Sequence, residues 1–542
     1  MASIRRAVVR GLRAALLGAG AVLLALIAYR PATSVGLVSA EFPVERESQE
    51  VTRLRSPPTP EVEALRRDLA GFLDGSRLRT AEWSILVVSL DAGDTLFARN
   101  ERMLVIPASN MKVVTTAAAL HFLSPSFTYQ TFLLGDGAVE DGHVKGDLIL
   151  YGTGDPGISD RFFPTRTHVF EGLADQLSAA GITHIDGDVV GDATYFTGPD
   201  LGPAWNPGDL NERFAAPASA LSFNENIITL RISPATNPGG VPTVETIPPG
   251  FTLEITNTAE TVEGRPRPRL WLDRPTPNSP IRIDGEMTLG GPAIWRRLTV
   301  SDPAQFSARA LREVLESRGF TVSGVTRAIH RADDSRVTGR QAWAPGLAEH
   351  EEPRLLARHT SPEMIEYLTV VNRESHNLFA EAVYKTMGKV VMGQGSFEGG
   401  AQAVRSFTAR EIGLGDRDII AVDGSGLSES NRVTAGGLVA ILRYVAESPQ
   451  WDAFLSTLPG AGRELRRMYR TRAAGNLRAK TGTIDRVSAL TGVVSTRNGE
   501  TLLFSILSND VPSTSAAKRV EDRIGARLAD FQRAAPGAPG LP

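Results

Sequence analysis

The stretch IPASNMKVVTTAAAL, Ile106 to Leu120, sets a serine and a lysine three residues apart at the head of an apolar run. NMKVVTTAAALHFL reads as a helix, so Ser109 and Lys112 share one helical face as neighbours. The lysine stands out because the chain nearly avoids that residue. Six lysines (Lys112, Lys145, Lys385, Lys389, Lys480 and Lys518) stand against 52 arginines. Arginine cannot give up its proton in a protein, whereas a desolvated lysine can. A lysine beside a serine in a dry pocket can act as its base. A serine at a helix N-terminus also has a free backbone N–H, and the macrodipole favours an oxyanion there. Taken alone, the pair is equally compatible with a solvent-facing lysine on a core helix.

Outward from this stretch, EVEALRRDLAGFLDG has helical spacing, with Val62, Leu65, Leu69 and Phe72 on one face and Gly75 as its stop. EWSILVVSLDAGDTLFARN reads as a hairpin turning at Asp91–Asp94. From about Tyr129 to His330 the texture changes to Gly, Pro and short strand-like runs, with helices in HVFEGLADQLSAAG and AQFSARALREVLESRG. Helical periodicity returns in SPEMIEYLTVVNRESHNLFAEAVYKTMG. No tandem repeat is evident.

Two further stretches carry chemistry. In NRESHNLFAEA, Ser375 and Asn377 flank His376 in an otherwise apolar helical pattern. A turn between helices would point both the same way, the serine to relay a proton and the asparagine to hold an amide; a helix cap is the plainer reading. In LRAKTGTIDRVSALTGVV, Lys480, Thr481, Gly482 and Thr483 precede an alternating strand, a setting in which a lysine and two hydroxyls can hold a carboxylate. YKTMG, Lys385 to Gly388, repeats the letters inside a helical stretch with no strand behind it and is set aside. GTGDPG, Gly152 to Gly157, is formally G-x-G-x-x-G, but Asp155-Pro156 makes it a tight turn. The eight histidines have no metal-ligand spacing, His350 and His359 being the closest pair and reading as surface or loop residues.

At 542 residues the chain is too long for a single core. A hydrophobic content of 42%, a charged fraction of 22% and a net charge of −3 describe a globular protein without the basic footprint of nucleic-acid binding. The absence of cysteine excludes disulfides, thiolate metal sites and a cysteine nucleophile. Arg5, Arg6, Arg10 and Arg13 precede an uncharged run, Ala14 to Tyr29, the pattern of an export signal. Residues 1–40 are therefore expected to be a signal peptide, with Val38–Ala40 as a cleavage site, or a retained membrane anchor through residues 14–29. Residues 41–60 read as a Pro-rich linker and 534–542 as a disordered tail.

Ser-x-x-Lys, Ser-x-Asn and Lys-Thr-Gly, in that order, form the motif set of penicillin-binding proteins and serine β-lactamases. The chain resembles the class C low-molecular-mass penicillin-binding proteins, the DacB-type D-Ala-D-Ala carboxypeptidases and endopeptidases. The likeness runs from about Glu61 to Arg533 and includes PASNMKVVTTAAAL, NRESHNLFAEA, DGSGLSESNRVT, AKTGT, GTGDP and APASALSFNEN. The 266 residues between Ser109 and Ser375 also suit a family that carries inserted domains there.

The resemblance implies an α/β (α+β) transpeptidase-like domain, an antiparallel sheet flanked by helices, with halves at 61–130 and 345–533. A β-rich insertion of one or two domains, 131–344, would interrupt it. It implies Ser109 as nucleophile, Lys112 as its base, Ser375 as proton relay, Lys480 tuning that serine, and Asn377 holding the substrate backbone. Thr481 and Thr483, with Lys480 and the close-approaching Gly482, would hold a terminal carboxylate. The backbone N–H groups of Ser109 and Thr483 would form the oxyanion hole, and DGSGLSES would shape the rim. The partners implied are peptidoglycan stem peptides outside the cytoplasm and β-lactams as covalent inhibitors, with no metal or cofactor. A β-lactamase or esterase on the same scaffold, and an idle wall-binding or antibiotic-sensing protein, are the alternatives. The first lacks an assignable carboxylate for fast deacylation; the second sits poorly with three intact motifs.

Overall fold

The computed structural model describes residues 59–75, 78, 80–249, 254–264, 267–337 and 353–533, and these form one compact unit. The expected signal or anchor, most of the linker and the tail lie outside the described residues. Among the described residues no helix is long and apolar enough to cross a membrane.

A five-stranded antiparallel sheet organises the half of the molecule that holds the three motifs. Its order is Thr95–Arg99, Glu82–Ser89, Thr501–Asn509, Val487–Ser495, Leu477–Ile484. The central strand shows why both faces are covered. Leu502, Phe504 and Ile506 enter one apolar cluster and Leu503 and Leu507 another, as the two-residue period of a strand requires. The helices Pro60–Asp74 and Thr514–Ala529 close the first face. Met111–Phe122, Met364–Arg373, Asn377–Met392 and Ala435–Ala446 close the second. The sheet is thus the middle of three layers, with the hairpin at Asp91–Asp94 where the sequence places it. One detail differs. Leu73, not Phe72, completes the buried face with Val62, Leu65 and Leu69, because the stripe drifts around a 3.6-residue turn. Phe72 is half-buried under the Arg523 guanidinium, 4.1 Å from the ring centre.

The insertion is β-rich and has its own apolar core. One sheet runs Thr326–Ile329, Val189–Asp192, Asp147–Gly152, Thr128–Asp136, Arg354–Glu363, with the helices His168–Ala179 and Pro303–Ser317 packed in that core. A three-stranded sheet is built on Ile227–Ser233, and a four-stranded one on Ile281–Thr288. The boundaries differ from the sequence reading. Thr128–Asp136 pairs with Arg354–Glu363, so both strands belong to the insertion's sheet and the second half resumes at Met364. The position 345 itself lies outside the described residues. GTGDPG is the tight turn expected of it, with the Gly157 N–H donating to the Asp155 carboxylate at 2.7 Å. His359, read as a surface or loop residue, instead sits half-buried in the strand Arg354–Glu363.

Gly492, opposite Ala479 in the sheet, fixes how closely the Lys480 strand can approach its neighbour. A Cβ at 492 would lie 2.6 Å from Ala479 Cα and collide with the Arg478 carbonyl. Gly492→Ala is expected to lower stability by about 1–3 kcal/mol and to slow covalent labelling by penicillin by displacing Lys480. Denaturant unfolding and labelling rate, measured on the same preparations, test both.

Candidate active site

Two strained turns and a strand bring the three motifs together. A short 3₁₀ turn, Ala108–Asn110, leads directly into the helix Met111–Phe122. Ala108 lies at φ 46°, a left-handed conformation that costs a non-glycine residue roughly 1–3 kcal/mol. Its carbonyl packs on Gly426, itself at φ 80°, where any side chain would collide with it. On the other side, Gly482 leaves room for the turn: a Cβ there would fall 2.8 Å from both the Pro107 carbonyl and the Asn110 amide nitrogen. Ser375 is the second strained residue, at φ 58° in the break between the helices Met364–Arg373 and Asn377–Met392.

Lys112 is fully buried among three polar partners. Its Nζ lies 3.1 Å from Ser109 Oγ, 2.7 Å from Asn377 Oδ1 and 2.7 Å from the Ser425 carbonyl. Burial pushes its pKa down to about 7, against the opposing pull of the Glu381 and Asp423 carboxylates. A neutral amine has two N–H donors and one lone pair. Asn377 Oδ1 and the Ser425 carbonyl take the two hydrogens, which leaves the lone pair facing the Ser109 hydroxyl. The arrangement is one in which Lys112 can act as a general base towards Ser109.

Lys480 is equally buried and donates to Ser375 Oγ at 2.9 Å and to the Thr481 carbonyl at 2.8 Å. Burial pushes its pKa well below the usual lysine range, and repulsion from Lys112 pushes the same way. Ser375 and Asn377 thus serve different lysines, Ser375 bonded to Lys480 and Asn377 to Lys112. Thr481 is half-buried, Gly482 is buried and Thr483 is exposed at the end of the strand. Asn377 also donates its Nδ2 to the Phe214 carbonyl of the insertion at 2.8 Å, which fixes the orientation of its amide.

Several residues of the site were not singled out in the sequence. Glu381 is fully buried one helical turn beyond Asn377 and accepts from the Gly424 N–H at 2.7 Å and the Ser425 N–H at 3.0 Å. It holds the peptide whose Ser425 carbonyl binds Lys112, and Thr115 anchors the same segment by donating to the Gly424 carbonyl at 2.7 Å. Burial pushes the Glu381 carboxyl up, and the Asp423 charge adds to it. Asp423 accepts from the backbone of Gly426 and Ser428 and from the side chains of Asn431 and Trp205. DGSGLSES is therefore a wall in direct contact with Lys112 rather than only a rim. The available signal was a lone acidic residue in the apolar helix NLFAEAVYKTMG. The Lys385 of that helix lies buried away from the catalytic cluster, donating to the carbonyls of Pro199 at 3.2 Å and Ala218 at 2.9 Å.

His376, between Ser375 and Asn377, donates from Nε2 to Glu225 of the insertion at 2.9 Å. Burial pushes its pKa down, against the opposing pull of the Glu225 carboxylate. Burial raises the Glu225 carboxyl, but the bonds to His376 and to Arg161, at 2.6 Å, outweigh it and hold it at about 2.

The D-Ala-D-Ala carboxypeptidase 3 (S13) family model matches residues 65–531, and the chain belongs to that family. It is 31% identical over 482 residues to a D-alanyl-D-alanine carboxypeptidase of Actinomadura sp. (strain R39), covering 86% of this chain and 85% of that one. It is 25% identical over 412 residues to the D-alanyl-D-alanine carboxypeptidase DacB of Haemophilus influenzae, covering 75% and 80%. The crystal structure of penicillin binding protein 4 (dacB) from H. influenzae shares the fold, with a TM-score of 0.71 at 22% identity over 87% of this chain and 99% of that one. The resemblance drawn from the three motifs is thus the family found, and the protein is a serine-type carboxypeptidase, a hydrolase.

Lys112 can take the Ser109 proton only when neutral, so acylation by benzylpenicillin should rise with pH through about 7. Glu381→Gln keeps the volume but sets an amide N–H₂ against one of the two backbone N–H donors. The variant is expected to acylate about tenfold more slowly or worse. Its rising limb should also shift to lower pH, because the charge that favoured protonated Lys112 is gone. Acylation rates across pH for both proteins check this, and an unmoved limb would show that Glu381 does not act on Lys112.

Proposed function

We propose that the protein removes the terminal D-Ala of peptidoglycan stem peptides, or cuts D,D-crosslinks between them, through an acyl-enzyme on Ser109. The observation that carries the reading is the pair of buried lysine–serine contacts, Lys112 on Ser109 and Lys480 on Ser375, with Asn377 bonded to the first lysine. Ser109 Oγ attacks the carbonyl of the D-Ala-D-Ala bond while its proton passes to Lys112 Nζ. The backbone N–H groups of Ser109 and Thr483 hold the oxyanion. Ser375, poised by Lys480, relays the proton that Lys112 took from Ser109 to the departing D-Ala amine, giving up its own and taking that one in its place, and the C–N bond breaks. Lys480, Thr481 and Thr483 hold the terminal carboxylate, and Asn377 holds the substrate backbone. Water then attacks the ester, giving a proton to the once more neutral Lys112, which returns it to Ser109 Oγ as the ester C–O bond breaks.

A penicillin presents a strained amide and a carboxylate to the same groups, so it forms the same ester. H. influenzae penicillin binding protein 4 is described in complex with a β-lactam. A β-lactamase is disfavoured by the environment of the buried carboxylates. Glu381 and Asp423 are occupied by backbone N–H donors and hold the wall rather than a water. The basic and apolar segments of residues 5–29 support export, so that the enzyme acts in the periplasm or wall space, cleaved from its leader or anchored by it.

The purified protein is expected to take a stable label from a fluorescent penicillin and to release D-Ala from a stem pentapeptide. Ser109→Ala should lose both. Penicillin consumed without a label would instead mean a β-lactamase, and penicillin left intact an idle scaffold. Digestion of crosslinked peptidoglycan separates the two D,D-cleavages, and fractionation of cells between membrane and soluble extracytoplasmic pools checks the location.

A further inference from the structure

One buried lysine takes no part in the chemistry described above. Lys385 has no exposed surface. It follows Asn377 and Glu381 at helical spacing, so the three side chains run along one side of the helix Asn377–Met392. An ammonium has three hydrogens, and three acceptors surround this one. They are the Ala218 carbonyl at 2.9 Å, the Pro199 carbonyl at 3.2 Å and the Asp200 carboxylate at 3.5 Å. The rings of Phe196 and Phe397 close the cage, 5.0 and 5.3 Å from Nζ. Burying an ammonium is costly unless its donors are met. Here all of them go to the two ends of one segment of the insertion. Those ends are also bonded to each other, the Ala218 N–H donating to the Asp200 carbonyl at 2.8 Å.

Between its ends, the segment Pro199–Ala218 reaches the catalytic cluster at two points. Trp205 is buried and donates from Nε1 to the Asp423 carboxylate at 2.9 Å. The Phe214 carbonyl accepts from Asn377 Nδ2 at 2.8 Å. Asp423 folds the turn that carries the Ser425 carbonyl, one acceptor of Lys112, and Asn377 supplies the other. Trp205 also packs on Phe397, with ring centres 6.3 Å apart, and Lys385 faces the same ring. Both acceptors that leave the Lys112 lone pair free therefore lean on one segment, and Lys385 holds that segment by its ends.

Resting on the acyl-enzyme reading, we infer that Pro199–Ala218 is a strap that keeps water from Lys112, and that Lys385 is the positioning residue that fastens it. Lys385 touches none of the reacting atoms and acts on acylation only through the strap. With the strap released, water reaches Lys112 and solvates its ammonium form, so the amine becomes harder to keep neutral. The charged groups facing Lys112 are Glu381, Asp423 and Lys480, and those facing Lys385 are Asp200 and Glu381. A substitution at Lys385 leaves every one of them in the chain.

The test follows acylation by benzylpenicillin across pH in the full-length protein and in Lys385→Met, Lys385→Gln and Trp205→Phe. Methionine keeps the side chain long and removes its donors, glutamine keeps two of them, and phenylalanine removes the indole N–H without changing any charge. In Lys385→Met and Trp205→Phe the rising limb is expected about one pH unit above the parent's, which is about a fivefold loss of rate at pH 7 that shrinks at higher pH. Lys385→Gln should lie between. Hydrogen exchange of peptides from 199–218 should quicken in Lys385→Met, while the central strand Thr501–Asn509 keeps its protection. A rate lowered at every pH with the limb unmoved would make Lys385 a structural residue and overturn the proposal. So would a limb that moves in Lys385→Met without faster exchange of the strap, because the lost charge would then act directly. A limb unmoved in Trp205→Phe would remove the strap's hold on Lys112. Failure of the parent itself to be acylated would remove the acyl-enzyme reading, and the strap's role with it.

Discussion

The two lysines of the catalytic cluster have no exposed surface, and Lys112 stands close enough to Lys480 to depress that lysine's affinity for a proton. Burial alone makes a charged ammonium expensive, and a second like charge nearby makes two of them prohibitive. The cluster must therefore hold fewer protons than two ordinary lysines would, and at least one amine is available as a base near neutral pH. Arginine in either place would stay charged. In a chain with 52 arginines, this explains why the two buried amines of the cluster are lysines.

Keeping an amine both dry and neutral requires two fixed acceptors for its two hydrogens and a hydroxyl at its lone pair. The Ser425 carbonyl is fixed because Glu381 grips the two N–H groups around it and Thr115 grips the preceding carbonyl. Asp423 folds the following turn around itself. Each of these carboxylates is buried, and each is tolerable only because donors surround it. The strain at Ala108 and Ser375 belongs to the same economy of position. A left-handed residue before Ser109 and another at Ser375 set these hydroxyls at the breaks where helices begin, within reach of the lysines.

How much of this was legible follows from the range of each interaction. Ser109 and Lys112 were legible because their spacing on one helix forces proximity. Lys480 was legible from its order and from the strand that follows, and the hairpin and flanking helices from their periodicity. Phe72 was misread for Leu73, since a four-point stripe cannot fix its own phase to one residue. Glu381 was missed because an acid in an apolar helix announces burial but not the partner. Its partners lie 43 and 44 residues away in a loop. The boundary at 345 was misplaced for a related reason. Arg354–Glu363 pairs with Thr128–Asp136, and no local pattern reveals which distant strand an extended segment will join.

His376 shows what the insertion contributes to the catalytic half. By composition it was the indifferent member of Ser-x-Asn, flanked by the two residues that carry chemistry. In the structure it is buried and bonded to Glu225, which Arg161 holds from the other side. The Asn377 amide is oriented by a second bond to the insertion, at the Phe214 carbonyl. Rotating that amide would turn an N–H₂ towards Lys112 and remove one of the two acceptors that leave its lone pair free. The insertion therefore does more than sit beside the site. It fixes, through one carbonyl and one carboxylate, the break between two helices on which both serine–lysine pairs depend.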